Sequence, residues 1–154
     1  MRMPRVTLNT IAAAALTVVC AAGAARAVGC TGSGCNGKNP AIMGCGADAV
    51  TITPKNFGDA GAGTGISQRV EVRHSKACNA VWSRVRASAF GNAKVSYSRA
   101  YLSGFKTSTS RYRYSAGIVY SNMRRATLSP LACGTSRWIV FGKPQVRTNC
   151  TGPS

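Results

Sequence analysis

The number and placement of cysteines constrain this chain more than any other feature. Seven occur, and Cys20 lies inside an N-terminal segment that reads as an export signal. Arg2 and Arg5 give that segment a positive start, Ile11–Ala22 is an apolar run broken by Thr17, and Ala25-Arg26-Ala27 offers a small-residue cleavage site. Cleavage after Ala27 divides the chain into a signal peptide, residues 1–27, and a single secreted domain, residues 28–154. The apolar run is shorter than the roughly 20 residues a membrane span needs. The expected product is therefore extracellular or cell-wall associated, with no transmembrane segment. Lipid attachment is the alternative, but Val19 is bulky for a residue before a lipidated Cys20, and acylating Cys30 would strand one of the other thiols.

Six cysteines then remain: Cys30, Cys35, Cys45, Cys78, Cys133 and Cys150. An even set in an exported chain most simply forms three disulfides. We expect sequential pairing, Cys30–Cys35, Cys45–Cys78 and Cys133–Cys150, with Gly32 and Gly34 letting the first, tight loop close. Zinc is the competing use of Cys30, Cys35 and Cys45. That set has no CxxC pair and no histidine close by, so neither a metal nor another cofactor is expected. A mature domain of this size buries about two-thirds of its unfolded surface, so the disulfides supplement a hydrophobic core.

Charge is the second strong signal. The formal net charge is +17, and only Asp48, Asp59 and Glu71 oppose it. Such a field attracts polyanions, among them teichoic acid, acidic polysaccharide and extracellular nucleic acid. Solubility alone is the plainer use of the same charge.

Hydrophobic patterning points to strands. Val28–Ala47 is a Gly-, Asn- and Cys-rich loop, and Ala49–Thr53 suits a strand that Pro54 ends. Gly58–Gly65 has the composition of a flexible loop, and Arg69–His74 alternates like a half-buried strand. One helical turn is expected at Lys76–Val81, followed by a strand over Trp82–Ser88. Lys94–Leu102 would place Val95, Tyr97, Arg99 and Tyr101 on one face. Gly117–Tyr120 and Trp138–Phe141 are apolar enough for central strands. The fold class is all-β, a small disulfide-bonded sandwich or barrel with at most one short helical turn.

Two cysteine-bearing segments also resemble a known family. Cys30-Thr-Gly-Ser-Gly-Cys35-Asn-Gly-Lys38-Asn-Pro40 with Gly44-Cys45-Gly-Ala-Asp48 is similar to the opening of the YjfA-like proteins. These are small secreted proteins of Gram-positive bacteria, especially actinobacteria, that form a domain of unknown function. Val70-Glu-Val-Arg73-His-Ser75-Lys-Ala-Cys78-Asn-Ala-Val-Trp82-Ser-Arg84 is similar to that family's strand, cysteine and tryptophan segment. The resemblance implies export, disulfides and one domain, and brings no known activity. Gly58–Gly65 looks inserted relative to the family, and His74 stands where another aromatic is expected.

No catalytic residue is expected. His74 is the one histidine, and a ribonuclease-like acid–base pair with Glu71 would need both side chains on one face. Three residues apart on a strand, they point to opposite faces. Three carboxylates leave little for glycosidase chemistry, and Asp48 more simply braces a turn. Arg111-Tyr112-Arg113-Tyr114 is the leading binding candidate: as a strand it presents two guanidinium groups on one face and two phenols on the other. Arg124 and Arg125 add a second dense cationic point. Trp82 and Trp138, with apolar neighbours, are expected in the core. The readings that follow are a non-catalytic domain associating with anionic envelope or extracellular polymers, a secreted inhibitor or partner-binding protein, and a small hydrolase using His74.

Overall fold

The computed structural model describes residues 27–58, 65–126 and 131–152. Most of the expected signal peptide and the centre of the Gly58–Gly65 loop lie outside these residues. Nine strands are present among them: β1 (Val50–Gly58), β2 (Gly65–Ser75), β3 (Ala80–Phe90), β4 (Lys94–Leu102), β5 (Arg111–Arg113), β6 (Gly117–Tyr120), β7 (Arg124–Arg125), β8 (Ala132–Val140) and β9 (Lys143–Cys150). Two short helical segments accompany them, a 3-10 turn at Gly32–Cys35 and α1 at Lys106–Thr109.

The strands form two antiparallel sheets. The first has the order β1-β2-β3-β6, with β7 also pairing β3, and the second the order β5-β4-β8-β9. Alternation places Val70, Val72, Val81, Val85 and Val119 of the first sheet against Ala100, Leu102 and Ala132 of the second, which makes the core of a sandwich. Approach is closest at Gly134. A Cβ there would stand 2.7 Å from a Val85 methyl carbon, so the two sheets meet where one of them has no side chain. A buried polar clamp joins the sheets as well: Gln68 donates to Ser136 Oγ at 2.7 Å and accepts from Asn149 Nδ2 at 2.7 Å. With both ends bonded, a buried amide adds specificity without leaving an unpaired group.

The all-β expectation holds, and three local readings are corrected. Pro54 does not end its strand; β1 runs on to Gly58. β1 is the edge strand of its sheet, the place where a strand tolerates proline. Lys76–Asn79 is a tight turn, not a helical one, with Asn79 at φ 45° and β3 beginning at Ala80. Asp48 braces this turn by accepting from Ser75 Oγ and, at 2.8 Å, from the Ala77 N–H. The third correction is in β4, where the register shifts between Val95 and Tyr97. That bulge turns Val95 inward beside Trp138 and leaves Tyr97, Arg99 and Tyr101 on the outer face.

The cysteines pair as Cys30–Cys35, Cys45–Cys78 and Cys133–Cys150, the sequential arrangement. The third bridge directly joins register partners of β8 and β9. The first two lie together, all four sulfurs within 4.8 Å of one another. They fasten the N-terminal loop over the outer face of the first sheet, where Cys35, Cys45, Cys78, Trp82 and Met123 form a second buried cluster. Backbone bonds from Gly32 N–H to Cys78 O and from Gly37 N–H to Met123 O hold the loop to the sheet.

Candidate polyanion interface

The outer face of the second sheet is open and cationic. Every Asp and Glu of the chain precedes Val72, whereas this sheet is built wholly from later residues. No carboxylate side chain therefore belongs to it.

Its centre is Arg99. The guanidinium carbon lies 5.0 Å from the Tyr101 ring centre and 5.2 Å from that of Tyr112. Nε and Nη2 both donate to Ser110 Oγ, at 2.8 and 2.6 Å, and Ser110 Oγ in turn donates to the Lys106 carbonyl. From this centre the contacts run in two directions. Tyr97 packs on Tyr112 with ring centres 6.4 Å apart, and exposed Arg137 stands opposite Tyr97 on β8. On the other side Lys106 reaches the Tyr101 ring at 5.9 Å, and Arg124 lies 4.2 Å from the ring centre of neighbouring Phe105. Cation–π contacts of this kind contribute about 0.5–1 kcal/mol each at exposed sites. Holding a guanidinium in place also lowers the entropy lost when it meets a ligand.

The residues singled out from sequence divide. Tyr112 stands in this strip, 50% exposed. Arg111 and Arg113 stand beside it on the edge strand β5 but pair with the inward-facing Ala100 and Ser98, so they point to the face opposite the strip. Arg113 Nε donates to the Ala116 carbonyl at 2.9 Å, bridging toward β6. Tyr114 lies just past the strand and is 81% exposed, with no core role. Arg124 joins the strip through Phe105, but Arg125 turns the other way, toward Gly32 of the N-terminal loop. The dense Arg124-Arg125 pair is thus not one patch. Arg99, Lys106, Tyr97 and Tyr101 were missed as site residues, although the Tyr-x-Arg-x-Tyr alternation of Lys94–Leu102 carried the signal.

A second cationic group lies on the outer face of the first sheet. Glu71, only 3% exposed, accepts from Arg69 Nε at 2.6 Å and from Arg84 Nε. Burial works to raise the Glu71 carboxyl, but the hydrogen bonds from Arg84 and Arg69 outweigh it and hold the group below the usual carboxylate range. Because the folded-state value is depressed, this stabilisation is present above the unfolded value of 4.5 and is lost as pH falls through the folded value. Glu71→Gln is expected to cost about 2–3 kcal/mol at neutral pH. The deficit should shrink as the wild type is acidified below that range. Denaturant melts of both proteins across that interval check it, and a gap independent of pH would contradict it. His74 is paired with Val81 on the interior side of the strand, away from this carboxylate.

A family signature matches residues 33–132, described as a protein of unknown function, DUF2690. The chain belongs to the DUF2690 family. The match runs from the N-terminal disulfide loop to the start of β8, so it takes in the cationic residues described above except Arg137. Comparison with curated proteins and with solved structures gives no match.

Proposed function

We propose that this DUF2690 chain is exported and acts as a non-catalytic domain that binds an anionic polymer of the cell envelope or extracellular matrix. Teichoic acid, acidic polysaccharide and extracellular nucleic acid are the polymer classes it fits. The same reading sets it among the YjfA-like secreted proteins of Gram-positive bacteria.

The observation that carries the proposal is the acid-free strip of the second sheet, with Arg99 fixed between Tyr101 and Tyr112. Fixed cations on a flat, extended face suit a linear ligand with repeating charge. Export is supported by the export-signal pattern and by the disulfides, which persist in oxidising compartments. Among the described residues no helix is long and apolar enough to cross a membrane. The non-catalytic reading is supported by Glu71, whose carboxylate is taken up by two arginines, and by the separation of His74 from it.

Mature protein is expected to be retained on polyglycerol phosphate, heparin and single-stranded DNA at low salt, and released from all three as salt rises. Failure to bind any of them would remove the proposal.

A further inference from the structure

Where the N-terminal loop stops short of covering the first sheet, it leaves a cleft of about 170 Å³. Pro40 and Ala41 of the loop form one side, and Arg73, Trp82, Arg84 and Tyr120 of the sheet form the other. The register places these sheet residues together: Arg73 pairs with Trp82, and Arg84 pairs with Tyr120. Every one of them falls inside the DUF2690 match.

The charge in the cleft is unbalanced. Glu71 is bonded to Arg69 and Arg84. Among the described residues the acceptors of Arg73 are neutral, Thr51 Oγ1 at 2.6 Å and the Ala49 carbonyl. Burial, and then the nearby charge of Arg84, pull the Arg73 guanidinium below its ordinary value. A partly buried cation beside another cation is stabilised by any anion that can reach both. Two planar forks with aromatic and proline walls suit a flat anion attached to a small carbon group. The cleft is smaller than the roughly 300–1,000 Å³ of pockets for whole drug-sized ligands, so it admits an end group and not a complete polymer unit with its neighbours.

We propose that this cleft binds a carboxylate, with Arg73 and Arg84 holding its oxygens and Trp82, Tyr120, Pro40 and Ala41 enclosing the carbon that bears it. The carboxylate of a peptide C-terminus and that of an acidic sugar share this chemistry. The site lies on the opposite sheet from the polymer-binding strip and does not depend on it.

The test uses the mature protein carrying Trp138→Phe, so that Trp82 alone reports by fluorescence, with calorimetry alongside. N-acetylalanine represents the peptide end, glucuronate the acidic sugar, and N-acetylalanine amide the neutral control. A saturable response to at least one carboxylate and none to the amide is expected, and the tighter of the two identifies the source. Arg73→Gln should weaken it by about tenfold or more. Because Arg73 also holds β1, Ala41→Phe provides a second variant, which fills the cleft from the loop side and should abolish the response with both arginines intact. No saturable response to either carboxylate, an equal response to the amide, or a response unchanged in both variants would overturn the assignment. Binding of inorganic phosphate without either carboxylate would also overturn it.

Discussion

Replacing Cys45 and Cys78 together with alanine is expected to lower the unfolding free energy by roughly 3–4 kcal/mol. The bridge closes a loop with a sequence separation of 33, compared with 17 for Cys133–Cys150 and 5 for Cys30–Cys35. Longer loops lose more entropy in the unfolded chain on closure. Both sulfurs are fully buried, so the alanine pair also leaves unfilled space beside Trp82 and Met123. Removing Cys133–Cys150 should cost less, since β8 and β9 are already joined along their whole register, and removing Cys30–Cys35 least. Denaturant melts of the three paired variants give the order directly. A larger loss from the Cys30–Cys35 variant than from the Cys45–Cys78 variant would contradict this account of the loop.

The second large effect is expected at Trp82. It is 1% exposed and packs with the buried sulfurs, Ala80 and Met123 on the outer side of the first sheet. Trp82→Ala should cost about 3–5 kcal/mol, the range for emptying a buried aromatic site. Trp82→Phe should cost much less, because the indole N–H has no acceptor among the described residues and its removal breaks no hydrogen bond. The alanine variant and the Cys45/Cys78 variant share the same cluster, so their costs should not add. Thermal melts of the two variants and of their combination measure this. Strict additivity would mean that loop and tryptophan are held independently.

Much of this organisation is legible in the amino-acid order. Cysteine parity, once Cys20 is set aside with the expected export signal, leads to three bridges, and the glycines between Cys30 and Cys35 favour the local pair. Val70 and Val72 alternating with Arg69, Glu71 and Arg73 announce a strand with one face buried, and both tryptophans lie in the core. The misses have physical causes. β9 is exposed along most of its length and so lacks the apolar alternation that marks a strand; its pairing and the Cys133–Cys150 bridge place it. A one-residue bulge in β4 reverses the face of Val95, which simple period-two counting cannot register. Adjacent charges misled at Arg124-Arg125, because successive strand residues point to opposite faces. Arg99 is the converse case: its partners Tyr112 and Ser110 come from a segment beyond α1, and only the folded sheet brings them together.

Binding strength as a function of salt tests the central claim most directly. Two variants with the same net charge are compared with the wild type on single-stranded DNA. One replaces Arg99, Lys106, Arg124 and Arg137 of the strip with glutamine, and the other replaces Lys38, Lys55, Lys76 and Arg86. Each phosphate contact adds about 0.7 to the log–log salt slope on single strands. The strip variant should therefore lose up to about 3 of that slope, while the other variant keeps the wild-type value. Equal losses in the two variants would show that the charge acts diffusely and that the strip is not an interface.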